Sequence, residues 1–267
     1  MRTLAPLGRR RVAVRGAADV GAYRVLHAAD PEGPLPQAGQ FYMLAAAEGW
    51  GAGADERPYL PRAFSFLDAT DGRLSFMLED VGPGTHRLAQ LGPGDELWLT
   101  GPLGLGFRAP DDGRRALLAG GGVGVPPLSA WARELTRDGC DPTAVLGFRD
   151  AHHAAGAALM ADGDVTVATD DGSVGHHGLV TDLLAAALDE DDHAVVYACG
   201  PPGMLEAVRA LCAARDVPAQ LALEAGMACG FGACYGCVVP LAEGGYVRLC
   251  VDGPVLDADR LGHVPVH

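Results

Sequence analysis

The chain has 267 residues, 49% of them hydrophobic and 20% charged, with a formal net charge of −14. That length accommodates one large domain or about two to three smaller ones. The acidic balance excludes a nucleic-acid or anionic-membrane surface, which needs clustered Lys and Arg, and no apolar run reaches the ~18 residues of a transmembrane helix. The first sixteen residues carry arginines but no apolar stretch, so no signal peptide is read there.

Residues 9–15, 22–27, 41–45, 63–67, 74–78 and 96–99 read as short strands between Gly, Pro and Asp clusters. Such a run predicts a closed antiparallel barrel. Within it stands Pro61-Arg62-Ala63-Phe64-Ser65. An arginine beside an aromatic ring and a hydroxyl on a strand can grip a pyrophosphate and border a planar cofactor; it is equally the pattern of a solvated strand edge. Gly82-Pro83-Gly84-Thr85 precedes a short helical pattern over 86–90. Free N–H groups at a helix start make an anion site, although a plain turn capped by Thr85 has the same sequence. The glycine-rich stretch from Gly101 to Phe107 reads as a connector passing close to something flat.

A new pattern begins with an apolar strand over 115–119, then Gly120-Gly121-Gly122-Val123-Gly124, then a helix opened by Val125-Pro126-Pro127 and running to about residue 137. Strand, glycine loop and helix in that order form a dinucleotide-binding arrangement. Strands over 144–148, 165–169 and 193–198 and helices over 179–187 and 202–214 continue a βαβ order, hence a parallel sheet. Function is then expected at the carboxyl ends of the strands. Gly147-Phe148-Arg149-Asp150, Thr169-Asp170-Asp171-Gly172-Ser173 and Cys199-Gly200-Pro201-Pro202 stand there. Cys199 is a candidate neighbour of a bound nicotinamide, or a small buried strand-end residue. Arg149 lies where a 2′-phosphate would be bound, which leaves NAD against NADP open. The adjacent pairs His152-His153 and His176-His177 lack the spacing of a helical metal site and read as solvated loop residues. No G-x-S-x-G elbow is present, so hydrolase chemistry has no support.

The last segment carries Cys229, Cys234, Cys237 and Cys250 as C-x4-C-x2-C-x12-C. Three cysteines in one nine-residue loop followed by a lone fourth differ from the paired short clips of a structural zinc site. The spacing matches the plant-type [2Fe–2S] pattern. Gly230, Gly232 and Gly236 let the backbone curl around an inorganic core and aim N–H groups at sulfur. Cys140, Cys199 and Cys212 are left over and suggest no disulfide framework, which fits a reducing cytoplasmic setting.

The barrel, the nucleotide pattern and the closing cysteine segment together resemble the ferredoxin reductase-like superfamily. Within it, Leu223-Glu224-Ala225-Gly226-Met227-Ala228-Cys229-Gly230-Phe231-Gly232-Ala233-Cys234-Tyr235-Gly236-Cys237 and Cys250-Val251-Asp252-Gly253-Pro254-Val255 are similar to the electron-transfer subunits of dihydroorotate dehydrogenase B. The resemblance implies an FAD-binding β-barrel over 1–110, a Rossmann-like NAD-binding α/β domain over 111–218 and a small [2Fe–2S] domain over 219–267. It implies FAD held by Arg62, Ala63, Phe64, Ser65, Gly84 and Thr85, with Ser65 and Cys199 beside the reacting rings. It implies NAD(H) near Gly121, Gly122, Val123, Gly124, Cys199, Gly200 and Pro201, and the cluster on the four cysteines. Its partner would be the FMN-containing catalytic subunit, in a heterotetramer. The family usually has proline where this chain has Ala63. A dinucleotide, a flavin and a one-electron cluster on one chain make a splitter of electron pairs. Two other readings stand beside it: a reductase for a hydrogenase, a sulfur-reducing enzyme or an oxygenase, and a zinc-stabilised non-catalytic module.

Overall fold

The computed structural model describes residues 8–51, 58–110, 113–160 and 162–264. The first unit consists of β1 (Arg10–Val20), β2 (Tyr23–Ala29), β3 (Phe41–Ala46), β4 (Arg62–Ser65), β5 (Asp68–Thr70), β6 (Arg73–Glu79), the helix α1 (Pro83–Ala89) and β7 (Glu96–Leu103). These strands form one seven-stranded sheet in the order β4-β3-β7-β1-β2-β6-β5, antiparallel throughout. An irregularity between Val14 and Gly16 lets the long β1 pair with β7 by its first half and with β2 by its second. A bulge of this kind bends a strand and helps a sheet curl into a barrel. Leu26, Tyr42, Leu44, Phe76, Leu78, Leu97 and Leu99 fill its interior. All of β3 is buried, because its outer face is covered by the cysteine segment described below. The three-residue β5 was too short to be read in the sequence.

The second unit contains β8 (Arg115–Gly121), α2 (Val125–Arg137), β9 (Thr143–Phe148), α3 (Ala151–Ala154), β10 (Asp164–Thr169), β11 (His176–His177), α4 (Val180–Glu190), β12 (Ala194–Cys199), α5 (Pro202–Ala214) and β13 (Ala219–Ala222). The strand order is β11-β10-β9-β8-β12-β13-β16, where β16 is Val255–Asp257. Every pair is parallel except β13 with β16. Alternate residues of β8 point to opposite faces. Ala116 and Leu118 join the core shared with α2, while Leu117 and Ala119 join the core shared with α4 and α5. The chain steps outward from β8 through β11 and then returns to β12 on the other side of β8. The crevice between the ends of β8 and β12 is therefore the switch point where ligands of such sheets lie.

The two units share one core. Val12, Leu26 and Phe76 of the barrel belong to the same buried cluster as Leu118, Trp131 and Tyr197. Phe107, Trp131 and Tyr197 pack ring against ring at the junction, with centroids 5.4–5.8 Å apart. The glycine-rich connector closes on the chain itself: a Cβ on Gly104 would lie 2.4 Å from the Gly253 carbonyl oxygen and 2.7 Å from Pro254 Cδ.

Between β13 and β16 the chain makes an excursion from the sheet edge. It contains the hairpin β14 (Val238–Pro240) and β15 (Tyr246–Arg248) and the single turn α6 (Leu249–Asp252). The expected boundary at 218/219 falls just before β13, so residues 219–222 and 255–257 are strands of the nucleotide sheet and the cysteine segment hangs between them.

Candidate functional site

Two clefts meet where the barrel faces the α/β sheet. The larger, about 700 Å³, is lined by Arg62, Ala63, Phe64 and Ser65 of β4, Thr85 of α1, Val123, Cys199 and the run from Ala222 to Ala228. Its size is that of a cofactor pocket. Two segments distant in sequence converge on it. A Cβ on Gly84 would come 2.5 Å from Arg62 Nε and 2.8 Å from its Cζ, so the guanidinium lies directly over the bare glycine. That puts a cation beside the backbone of a helix start, a donor set that fits a flavin dinucleotide's diphosphate. The Thr85 hydroxyl is engaged by the backbone: it accepts from the N–H groups of Val81 and Gly82 at 2.9 and 3.0 Å and donates to the Gly82 carbonyl at 3.0 Å. Thr85 thus shapes the turn. Burial, and then the charge of Glu224, push the Cys199 thiol well above its ordinary range. Cys199 is a small neutral wall residue and no thiolate nucleophile.

The second cleft, about 470 Å³, lies at the carboxyl ends of the parallel strands. Gly121, Gly122, Val123, Gly147, Phe148, Arg149, Asp170, Pro201 and Met204 line it. The glycine loop is pressed against the loop after β12. A Cβ on Gly124 would sit 2.0 Å from the Cys199 carbonyl oxygen, and one on Gly121 would sit 2.6 Å from Met204 Sδ and 3.0 Å from Pro201. Gly122 has φ +51°. Gly121, Gly122, Val123 and Gly124 are thus brought against Cys199, Gly200 and Pro201. Gly121, Gly122 and Val123 line the cleft, while Gly124, Cys199 and Gly200 pack behind them; a glycine loop at this place fits a close-lying diphosphate.

The four cysteines fall into two pairs. Cys237 Sγ and Cys250 Sγ are 3.2 Å apart, and Cys234 acts on Cys229 through both its thiol and its N–H. A tetrahedral zinc wants four donors at a point; a two-iron cluster on four cysteines takes two per iron, and paired thiols fit the latter. The loop is rich in amides aimed at sulfur. Burial works against ionising Cys229, yet the N–H groups of Phe231, Cys234 and Ala233 and the Cys234 thiol bring it down to about 6. Cys250 is pushed up to about 12 by burial and by its neighbours Cys237 and Cys229, against an N–H from Gly232. The Gly236 N–H lies 3.4 Å from Cys234 Sγ. Gly230 and Gly232 take φ +77° and +88°. A side chain on either would collide, with Met43 Cγ at 2.6 Å and Val251 Cγ2 at 2.7 Å. Met43 belongs to β3, so the loop is seated on the barrel. Arg248 holds it from the other side, donating to the Gly232 carbonyl at 3.0 Å and lying 5.3 Å from the Tyr235 ring centre.

Three residues that line the clefts were not singled out in the sequence. Tyr23 and Glu79 reach the nucleotide cleft from β2 and β6. Glu224 stands on the wall of the larger cleft with its surface exposed, and partial desolvation by the surrounding protein pushes its carboxyl upward. Only Glu224 left a signal, as part of the Leu223–Cys237 motif. The reading of His153 as solvated is corrected. It lies in α3 with its side chain 15% exposed, Nδ1 2.8 Å from Asp150 Oδ1. His176 and His177 form the two-residue edge strand β11.

The family model for the iron-sulfur cluster binding domain of dihydroorotate dehydrogenase B matches residues 224–262. The protein named dihydroorotate dehydrogenase B (NAD(+)), electron transfer subunit, of Bacillus caldolyticus is 42% identical over 237 residues, covering 85% of this chain and 87% of that one. Its namesake in Listeria monocytogenes is 38% identical over 231 residues, covering 84% and 86%. Among solved structures, the NADH-dependent reduced ferredoxin-NADP oxidoreductase superposes with TM-score 0.79 at 24% identity, over 96% of this chain and 91% of that one. Phthalate dioxygenase reductase does so with TM-score 0.62 at 17% identity, over 96% of each. These structures share the fold. The chain belongs to the family of electron transfer subunits of dihydroorotate dehydrogenase B.

Proposed function

We propose that this chain carries electrons between NAD(H) and an FMN-containing dihydroorotate dehydrogenase catalytic subunit, through FAD and a [2Fe–2S] cluster, in pyrimidine biosynthesis. Residues 1–110 hold the flavin, 111–218 with the strands at 219–222 and 255–257 hold the nucleotide, and the segment between those two strands holds the cluster. The observation that carries this reading is the continuity of the larger cleft with the cysteines. Ala225, Gly226, Met227 and Ala228 line the cleft, and the next residue is Cys229. One residue spans at most ~3.6 Å, so the first sulfur ligand begins where the cofactor pocket ends.

A bound flavin supplies two-electron exchange with a nicotinamide and one-electron exchange with an iron–sulfur centre. The protein binds and orients. Arg62 over Gly84 supplies the cation for the flavin diphosphate, Ala63 and Phe64 border the ring, and Ser65 offers a hydroxyl to it. The loop of Gly121, Gly122, Val123 and Gly124 receives the nucleotide diphosphate, flanked by Gly200 and Pro201. Cys199, neutral and small, leaves room in the wall of the larger cleft. Glu224 holds its proton to higher pH than an ordinary carboxylate in the same place. Cys229 with Cys234, and Cys237 with Cys250, would take one iron each. The catalytic subunit is the partner, in a heterotetramer, and the cytoplasm is the setting that suits seven unpaired thiols. No helix among the described residues is long and apolar enough to cross a membrane.

The test is spectroscopic and chemical. Anaerobically purified protein should show flavin bands, broad iron–sulfur absorption and acid-labile sulfide. With a copurified FMN subunit it should reduce NAD+ when dihydroorotate is added. Cys234→Ser should lose most of its iron and keep its flavin. A colourless protein free of labile sulfide, or a variant with full iron content, overturns the assignment.

A further inference from the structure

Glu79 ends a barrel strand, yet its side chain lines both clefts. Its carboxylate accepts from Arg149 Nη2 at 2.7 Å. Arg149 stands at the carboxyl end of β9, on the wall of the nucleotide cleft. Among the described residues lining that cleft it is the one permanent cation, and the chain contains no lysine. The Arg149 side chain is 64% exposed, so it can turn once Glu79 no longer holds it, whereas Glu79 is 23% exposed. The same Nη2 also donates to His153 Nε2 at 2.7 Å. The same Nε2 lies 3.4 Å from Glu79 Oε1, and Nδ1 lies 2.8 Å from Asp150 Oδ1. Arg149 is thus committed to a carboxylate and an imidazole, in a rim that also carries Asp170. Asp171 follows it, its carboxylate accepting from the Ser173 N–H at 2.9 Å.

A nucleotide with a 2′-phosphate brings a further dianion, which dinucleotide folds accommodate with a nearby arginine. Here the arginine is engaged, and the two carboxylates that line the cleft, Glu79 and Asp170, repel a further anion. We propose that Glu79 is a selectivity residue: by occupying Arg149 it confines the cleft to dinucleotides whose adenosine ribose lacks a 2′-phosphate. This rests on the reading of the cleft as the nucleotide site. With Glu79 neutralised, Arg149 becomes a phosphate ligand and the cleft accepts the phosphorylated form. The selecting carboxylate then comes from the barrel, on the opposite side of the cleft from the nucleotide sheet.

ADP-ribose and its 2′-phosphate test this by calorimetry on the full chain in its complex, since neither can exchange electrons. Wild type should prefer ADP-ribose. Glu79→Gln should tighten ADP-ribose by roughly two- to fivefold, the scale of an exposed ion pair. It should tighten the 2′-phosphate by roughly tenfold or more, the scale of a charge-assisted hydrogen bond gained. Arg149→Gln on that background should erase the gain. Glu79→Ser replaces the glutamine variant should the latter not fold. A glutamine variant that tightens both ligands equally or neither, or a gain that survives loss of Arg149, overturns the role of Glu79 and leaves the nucleotide site standing. A wild-type chain that binds neither ligand overturns both.

Discussion

Gly84 and Arg62 are twenty-two positions apart, and neither is distinctive alone. Their meaning lies in the missing Cβ, which leaves the place where Arg62 Nε lies 2.5 Å away. Gly84→Ala adds one methyl there. Gly84 is not among the residues with a positive φ, and alanine is a better helix former than glycine, so the fold should tolerate the change. The flexible guanidinium should move instead. The expected outcome is a flavin affinity lower by roughly tenfold, as for loss of a charge-assisted hydrogen bond, with the thermal midpoint nearly unchanged. Flavin retained per protein after dilution and gel filtration measures it, beside a melting curve. Ser65 and Cys199 were likewise legible as residue types, but their facing one cleft was not, because β4 and β12 belong to different sheets. The cysteines proposed as ligands form the plainest sequence signal, since three of the four lie in one short loop whose spacing is itself the pattern.

Periodicity and punctuation carry the elements. The helices over 125–137 and 202–214 open on prolines, which suit a first turn, and the strands between them are apolar runs because both faces are covered. What escaped were β5, β11, β13, β14, β15 and β16, each two to four residues long and defined by a partner strand rather than by its own pattern. The packing of element on element explains why the glycine loop must be glycine. At Gly124 the backbone is ordinary α-helical, with φ −76° and ψ −8°, so alanine would be well placed conformationally. Its Cβ would nevertheless lie 2.0 Å from the Cys199 carbonyl oxygen, 2.4 Å from the carbonyl carbon and 2.9 Å from the Gly200 nitrogen. These are backbone atoms and cannot turn aside. Gly124→Ala should force the start of α2 away from β12 and cost roughly 1–3 kcal/mol or more, as overpacking does. Urea unfolding measures the loss. ADP-ribose affinity should fall with it, because the same displacement opens the nucleotide loop.

At the scale of the molecule, barrel and sheet are tied by charge as well as by shared core. Asp68 of β5 pairs with Arg133 of α2 and, at 3.3 Å, with Arg73 of β6, and accepts from the Thr70 hydroxyl at 2.7 Å. Burial alone would raise its carboxyl above the ordinary 3.8, but Thr70 and the two guanidinium groups outweigh it and the result is lowered. A depressed carboxylate stabilises the folded state above its unfolded value and loses that contribution as pH falls through its folded value. Asp68→Asn should therefore melt lower than wild type at neutral pH. The gap between the two should close as pH falls through 3.8 and below. Thermal midpoints of both proteins across that range measure it; a gap that widens in acid contradicts the sign.

The sequence by itself determined what is local: the barrel and βαβ order from hydrophobic periods and turn residues, and the iron–sulfur segment from cysteine spacing. Both follow from backbone geometry over a few residues. Tertiary structure alone decided what faces what. Glu79, Tyr23 and Glu224 line the clefts because three separate stretches of backbone converge there, and Arg149 is neutralised by a residue seventy positions away. The cysteine loop sits on β3 because Gly230 lacks a side chain where Met43 presses in. Contacts of that range depend on how sheets pack, and packing is set by the summed shape of buried surfaces rather than by a pattern in any one stretch.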